Sequence, residues 1–480
     1  MKETYLVNLL KSFSDGEMKS FGKFVASPYY NTGLNVGSGQ LVKLYEMLRS
    51  FYPEFNSPGL DKHTVYRNLF SSEVYDDRQM RNIISVFTRL AEKFISVHHS
   101  DPFENKRVLM ETLSIRWLDS SFNKHYGKML KVIEQQKMLQ ESYYRNHMMN
   151  ILDVTFATYR QKEIKYSGLT VGFIKYFILH ILDIYIKLAI DSRIRNRKYE
   201  FILLNEVTGL INSSPGLFKD EPLIMLYYHE LMLALNEDED SYFKLVEFKN
   251  KMIDELDPIE LYNVYILMGN FCIFMQDRGE KRFYDEKFRL DKEFIARNVF
   301  SIVQFIQYQV FIAVFVNAVS VKEHKWALRF IESNEQMLDP AAKKYTTSYC
   351  MAEYYFSLGN YSEALKQLSK VNFEFSQLKQ LEKNLKLKMY FDSAAYESAF
   401  SMLDASKKQL AREKEMSQKI KDLHQRFLKY YEILLKAESS GSRLSGTDIS
   451  ELQNRIKKEE NFSNKQWLLS KLAKTESHTR

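Results

Sequence analysis

Histidine and cysteine bind metal ions or act as nucleophiles more readily than most side chains, and this chain of 480 residues has ten histidines and two cysteines. The histidines do not form the H-E-x-x-H arrangement of zinc proteases. His98, His99 and Asp101 could contact a metal ion, but adjacent residues of a helix point apart, and no further ligand follows them. We therefore predict a polar helix end at this position and no bound metal.

The two cysteines, Cys272 and Cys350, each lie in an apolar stretch, which favours small buried side chains over a metal site. So few cysteines form no framework of disulfides and indicate a reducing compartment. The first residues place Lys2, Glu3 and Lys11 around a very short apolar run, unlike the long apolar segment of a signal peptide. The sequence therefore predicts a cytoplasmic protein.

Motifs that hold phosphates or build a catalytic turn are missing from the sequence. It has no G-x-x-x-x-G-K-[ST] loop, no G-x-G-x-x-G and no G-x-S-x-G. Gly33, Gly37 and Gly39 are close together, but no apolar strand precedes them, as a phosphate-binding turn requires. We expect no cofactor and no catalytic residues, and we predict that the protein is not an enzyme.

The elements that position the remaining side chains must be helices. The 16 glycines and 8 prolines are 24 of 480 residues, or 5%, against roughly 12% on average. Because many short strands need these residues at their turns, the composition disfavours a sandwich, propeller or barrel. A hydrophobic content of 45% argues against disorder. We predict an all-α fold in which a small N-terminal helical domain precedes an α-solenoid of TPR-like helix pairs.

Breaks in the pattern suggest four regions. Pro102 follows a long amphipathic helix, Ser213 to Gly216 interrupts a proline-free stretch, and Glu438 to Asp448 is rich in serine and glycine. The predicted regions are an N-terminal helical domain (1–101), a long-helix region (102–214), TPR-like repeats (215–437), and a linker with a C-terminal helix (438–480).

The repeats are clearest around Ser357 to Leu365, where Ala364 takes the place of the small residue that lets two antiparallel helices approach. Ala327 and Ala399 occupy equivalent positions in weaker copies. The intervals are slightly longer than the roughly 34 residues of a tetratricopeptide repeat, so we predict a divergent array.

The stretch Leu169 to Ile190 is the most membrane-like part of the sequence. It contains Lys175, Asp183 and Lys187, and a central charge costs about 2.5–3.5 kcal/mol in a membrane. The three charges lie on one stripe of a helix. We therefore predict no membrane insertion, and a helix that is buried on most sides with one wet, charged stripe.

Aligning the copies places twelve side chains, four from each of three helices, on the inner face of the array. A clamp for a partner's terminal carboxylate needs several basic or amide groups, and only Asn384 and Lys388 qualify. An apolar, aromatic groove would instead accept a hydrophobic helix or strand of a protein partner. The alternative is that these residues pack against the chain's own helices. The candidate groove residues are Tyr349, Glu353, Phe356, Asn384, Lys388 and Phe391.

The strongest helix prediction is Asp77 to Val97, which has an apolar stripe at the helical period. Asp76 is a candidate N-cap, with Gln79 completing a capping box. A shorter helix, His63 to Phe70, precedes it, so that the two have the outline of a helix-turn-helix with the polar face of the second helix available to DNA. The candidate DNA-contacting side chains on that face are Arg78, Gln79, Arg81, Asn82 and Arg89.

The acidic turn before this helix and the dilute positive charge of the chain, +7 in total, argue against nucleic acid as the main partner. The leading hypothesis is a non-enzymatic scaffold or adaptor that binds a protein or peptide. The alternative is a transcription regulator with this helix-turn-helix-like region and the array as a sensor.

Several phrases resemble an uncharacterised bacterial family of TPR-like helical-repeat proteins. They are Lys19 to Phe24 with Ser27 to Asn31, Tyr75 to Asp77 with Met80 to Asn82, Gly359 to Leu368, and Trp467 to Lys471. The resemblance runs nearly end to end and implies a cytoplasmic helical solenoid, with no catalytic residues to carry over. The chain departs from the family at Ser71 to Val74, where relatives are expected to have Pro-Gly.

Overall fold

A computed structural model describes residues 4–31, 36–136, 139–164, 166–195, 197–373, 376–440, 446–459 and 462–477. In these ranges the chain is helical, and extended backbone pairs only in two isolated bridges, Arg195 with Met416 and Ile306 with Leu338. The prediction of an all-α fold is confirmed for the described residues. Contacts divide the chain into two compact units, an N-terminal unit (Met1–Lys128) and a C-terminal unit (Met129–Arg480). The boundary between the units falls inside the predicted region 102–214, and the four regions stay a prediction.

The N-terminal unit is built around an aromatic core in which Phe13, Phe21, Phe87 and Phe94 pack edge to face or tilted. Helix α2 contacts both α4 and α6, and all three helices contribute buried side chains to this core. The helices that begin in this unit are α1 (Tyr5–Lys11), α2 (Asp15–Ala26), α3 (Pro28–Asn31), α4 (Ser38–Arg49), α5 (Lys62–Phe70), α6 (Asp77–His98), α7 (Pro102–Ile115) and α8 (Asp119–Gln135), with a 3-10 turn at Pro58–Leu60.

Helix α6 confirms the strongest helix prediction. It begins at the predicted residue, ends one residue later than predicted, and buries its apolar stripe. The Asp76 side chain accepts hydrogen bonds from the backbone N–H groups of Arg78 and Gln79, as an N-cap does. The expected capping box is wrong in its second half. Gln79 Oε1 accepts a hydrogen bond from the Tyr66 hydroxyl of α5 at 2.7 Å, and thereby joins two helices.

The C-terminal unit is a succession of helices that pack mainly against near neighbours in sequence. Close pairs include α15 with α16, α19 with α20, and α21 with α22. The helices are α9 (Gln140–Tyr159), α10 (Tyr166–Ile194), α11 (Leu204–Ser213), α12 (Pro215–Phe218), α13 (Pro222–Asn236), α14 (Glu239–Met252), α15 (Pro258–Arg278), α16 (Arg282–Ala296), α17 (Tyr308–Ser320), α18 (His324–Asn334), α19 (Pro340–Ser357), α20 (Tyr361–Leu368), α21 (Ser376–Asp392), α22 (Tyr396–Arg412), α23 (Gln418–Ser439), α24 (Gly446–Lys458) and α25 (Lys465–Ser477). Short 3-10 turns lie at Val299–Ile302 and Glu335–Met337.

The three alanines of the predicted repeat lie in the first turns of alternate helices, Ala327 in α18, Ala364 in α20 and Ala399 in α22. All three are fully buried. A larger side chain at these positions would separate the packed helices, because interiors have no spare volume.

The last helices of the C-terminal unit contact helices that lie much earlier in its sequence. Ser417, which caps α23, donates its hydroxyl to the Arg193 carbonyl at 2.6 Å and its N–H to the Ile194 carbonyl at 3.1 Å. At the start of α25, Lys465 Nζ donates to the Arg278 carbonyl at 3.1 Å and Gln466 Nε2 to the Gly279 carbonyl at 2.8 Å. These contacts join the ends of α10 and α15 to the final helices.

Candidate functional site

The predicted groove residues lie on α19 and α21, and two of them, Tyr349 and Asn384, are buried. Tyr349 is buried and donates its hydroxyl to Glu353 Oε1 at 3.0 Å. Asn384 is buried against His424 of α23, with 3.3 Å between Nδ2 and Nδ1. Burial lowers the pKa of His424 to about 4, which keeps the imidazole neutral.

The rest of the predicted groove is partly covered. The Phe391 ring packs edge to face against Trp467 of α25. Lys388 places Nζ 5.1 Å from the centroid of the half-buried Phe356 ring. The chain's own helices α23 and α25 thus contact this face at Asn384 and Phe391.

The candidate DNA face is exposed but partly neutralised. All five predicted side chains of α6 are exposed. However, Arg81 Nε lies 2.9 Å from Asp77 Oδ2, and Gln79 is engaged by Tyr66. Asp76 and Asp77, at the start of the same helix, would face phosphate groups with like charge.

Two open clefts of about 440 Å³ each lie in the C-terminal unit. The first is lined by Lys187, Ile190, Asp191, Ile194, Arg195, Gln307 and Gln309, and the second by Arg426, Tyr430, Arg455, Lys458 and Glu459. Their charges pair within the walls, for instance Arg195 with Asp191 at 3.2 Å and Arg426 with Glu459 at 3.6 Å. Among the described residues that line them, none is a histidine, cysteine or serine, so neither presents a nucleophile beside its base.

A different surface stands out on α10, the longest described helix. Phe173, Phe177 and Ile184 lie on one stripe of this helix and are 51%, 39% and 48% exposed. We call these three side chains the α10 stripe. Large apolar side chains grouped on a surface are typical of contact sites for other molecules.

The α10 stripe is exposed because α10 is apolar on almost every side. Its opposite side buries Ile178, Leu182 and Tyr185 in the core of the C-terminal unit, while only 33% of its most apolar window is buried. By length and composition, α10 and α15 could each cross a membrane, but 61% of the corresponding window of α15 is buried in the protein.

Helix α9 packs beside α10 and borders the stripe. His147 of α9 lies 5.2 Å from Phe173 and 5.8 Å from Tyr176, ring centroid to centroid. The helices approach closely at Gly172, where an added Cβ would lie 2.6 Å from Asn150 Nδ2. The small-xxx-small spacing of Gly168 and Gly172, often a helix-dimer motif, is therefore used within the protein.

The expected wet, charged stripe on this helix is wrong. Lys175 forms an ion pair with Glu221, and Asp183 lies 2.7 Å from Lys187 and 3.4 Å from Gln140 Nε2, so two of the three charges face neighbouring elements. Lys187 remains 72% exposed, and the rest of the exposed side is apolar. A signal was present in the sequence, because Phe173, Phe177 and Ile184 recur at helical spacing on the side away from Lys175 and Asp183.

Comparisons with known proteins add no relative. No family model, no curated protein and no solved structure matches this chain. The resemblance to TPR-like bacterial proteins therefore remains a prediction that rests on the sequence phrases alone.

Proposed function

We propose that the protein is a non-enzymatic, cytoplasmic adaptor that binds a protein partner through the α10 stripe. We infer further that the C-terminal unit is a divergent TPR-like α-solenoid. The succession of neighbouring helix pairs and the buried Ala327, Ala364 and Ala399 support this architecture.

The observation that carries the proposal is the exposed apolar stripe itself. Covering Phe173, Phe177 and Ile184 would remove apolar surface from water, which is worth roughly 25 cal/mol per Å² before the costs of association. Aromatic side chains such as the two phenylalanines are enriched among the residues that dominate binding energy.

The spacing of the stripe defines the partner. Apolar residues separated by four and by seven positions form a seam along one side of a helix, and such a seam packs against a second amphipathic helix. The partner surface is therefore expected to be an α-helix with large apolar residues at three- and four-residue intervals.

Site-specific photo-crosslinking tests this proposal. A photoreactive phenylalanine at position 173 or 177 is expected to form a covalent adduct with one protein, whereas the same residue at Ile259, which is also exposed, forms none. The partner, once purified, should bind the F173S/F177S variant at least tenfold more weakly, which corresponds to about 1.4 kcal/mol. The I259S variant should bind normally.

Three results would overturn the proposal. They are the absence of any adduct at positions 173 and 177, an adduct with lipid, and an adduct only with a second copy of the chain. Equal loss of binding in F173S/F177S and I259S would also contradict it, because the α10 stripe would then have no special role.

DNA binding has less support as a function. The five polar side chains of α6 are exposed together, but Arg81 is paired with Asp77 and the helix start is acidic. A salt-dependent gel shift abolished by Arg78→Ala with Arg89→Ala would nevertheless favour the transcription regulator.

A further inference from the structure

Two histidines and a glutamate meet at the junction of α2 and α6 in the N-terminal unit. Glu17 lies in the first turn of α2, and His98 and His99 end α6. One ligand atom from each residue lies within 4.8 Å of the others, and Glu17 Oε1 is 2.7 Å from His99 Nε2. We call these three residues the His–Glu cluster.

The two adjacent histidines converge because only one of them is helical. His99 is the C-cap of α6, with φ −102° and ψ 15°, so the backbone turns out of the helix at this residue. The two rings lie at 87° to one another with their centroids 5.1 Å apart. Adjacent residues point apart only where both are helical, and His99 lies outside the regular helix.

The surroundings hold two of the three side chains in place. Glu17 Oε2 accepts hydrogen bonds from the Ser14 N–H and hydroxyl, both at 2.7 Å, which leaves Oε1 directed at His99. The His98 ring stacks on Phe94 with a centroid distance of 4.9 Å.

We propose that the His–Glu cluster binds one divalent transition-metal ion, with Zn²⁺ as the ion of choice, and thereby ties the N-terminus of α2 to the C-terminus of α6. Imidazole nitrogens select Zn²⁺ and related ions over Mg²⁺ and Ca²⁺. Ligand atoms about 2.0–2.1 Å from a tetrahedral ion lie about 3.3 Å apart, so small torsions of the exposed imidazoles complete the geometry. Water takes the fourth position.

The fixed carboxylate makes Ser14 a positioning residue. Groups that orient metal ligands typically change affinity by about 10–100-fold. The Ser14→Ala variant keeps all three ligands and is expected to bind Zn²⁺ at least tenfold more weakly than the wild type.

Zinc titration of the full chain against a chromophoric chelator tests the site. The wild type is expected to bind one Zn²⁺ tightly, and H98Q and H99Q should each weaken this binding at least tenfold. Added Zn²⁺ should raise the melting temperature of the wild type but not of these variants. H63Q, which alters an exposed histidine of the same unit, serves as the control and should bind like the wild type.

Cobalt provides a second readout. One equivalent of Co²⁺ should give the visible absorption bands of a low-coordinate site in the wild type and in H63Q, and none in H98Q. Failure of the wild type to compete with the chelator would overturn the proposal. So would equal zinc binding by all variants, or an equal loss in H63Q, since each would show adventitious binding to scattered histidines.

Discussion

Glu230 carries its carboxyl group in the interior of the C-terminal unit, on α13. Burial first, and then the nearby Glu260 and Asp183, raise the pKa of Glu230 well above its ordinary value. The Tyr227 hydroxyl donates its one proton to the Glu260 carboxylate, whose two oxygens lie 2.9 and 2.8 Å away, whereas Glu230 Oε1 is buried without a hydrogen-bond partner among the described residues. The native protein therefore favours the protonated form of Glu230 more strongly than the unfolded chain does.

Replacing Glu230 by glutamine is expected to stabilise the protein at pH 8. A raised native pKa means that stability is full below the unfolded pKa of 4.5 and is lost as pH rises towards the native pKa. Glutamine does not ionise, so the free energy of unfolding of the variant should exceed that of the wild type by about 1–3 kcal/mol at pH 8. Chemical denaturation at pH 4.5 and pH 8 measures the difference.

The control for this experiment is Glu397→Gln on α22, where the side chain is exposed. The free energy of unfolding of this variant should lie within about 0.5 kcal/mol of the wild-type value at both pH values. A Glu230→Gln variant whose advantage does not grow with pH would show that the carboxyl group is ionised in the native state.

The buried ion pair of α16 gives a second prediction at the residue scale. Lys287 Nζ donates to both carboxylate oxygens of Asp291 at 2.8 Å, and both residues are buried. Removing one partner leaves a buried charge, so Lys287→Met should destabilise the protein by about 3–5 kcal/mol. Adding Asp291→Leu should recover most of this loss in urea denaturation.

An exposed pair of the same spacing provides the matched control. Lys244 and Asp240 on α14 are 2.6 Å apart, but both side chains are more than half exposed. Lys244→Met should leave the stability close to that of the wild type, because water screens an exposed pair. Equal costs for the buried and exposed pairs would contradict the argument that desolvation decides the difference.

At the scale of elements, α2 and α4 pack through a glycine. A Cβ added to Gly22 would lie 2.5–2.6 Å from atoms of the Tyr45 ring, and the Tyr45 hydroxyl is anchored to the Met18 carbonyl at 2.8 Å. Since the ring cannot move without breaking this bond, Gly22→Ala should destabilise the N-terminal unit by about 1–3 kcal/mol. Thermal unfolding monitored by circular dichroism measures the loss.

Gly127 on α8 shows the opposite situation, because an added Cβ would meet no atom within 4 Å. Gly127→Ala should therefore stabilise the protein by about 0.5–1 kcal/mol, through helix propensity alone. If Gly22→Ala were also stabilising, the close approach of α2 and α4 would not be rigid.

Local rules predicted elements well where a helix has one apolar side. The stripe and N-cap of α6 were visible in the sequence, because both depend on neighbours within a few positions. The rules predicted the exposed side of α10 poorly. This helix has apolar residues on almost every side, so its sequence does not reveal which side the protein covers. The His–Glu cluster was missed for a related reason, because Glu17 is 82 residues from His99.

At the scale of the whole molecule, the return of the last helices is stabilised by Lys465. This buried side chain donates Nζ to the Arg278 carbonyl at the end of α15 and to the Glu459 carbonyl at 2.8 Å. A cation at a helix C-terminus is favourable because carbonyl groups there lack partners within the helix. Periodicity cannot predict such a contact, which joins residues 187 positions apart.

Lys465→Met is expected to loosen α25 without unfolding the chain. Hydrogen bonds from charged groups are worth about 1.5–3 kcal/mol, so amide exchange in α25 should accelerate about tenfold to hundredfold. Hydrogen exchange followed by mass spectrometry measures this change. The exposed Lys366→Met serves as the control, and equal exchange in the two variants would show that Lys465 does not hold α25 in place.

The return of α23 to α10 also sets an order of events during synthesis. Ser417 lies 224 residues after its partner Arg193, and ribosomes add about 5–20 residues per second, so roughly 11–45 s pass before this contact can form. In that interval the end of α10 has been synthesised, but Ser417, which contacts it in the folded protein, has not. Slow translation of the last third of the chain would lengthen the time during which the end of α10 lacks this contact.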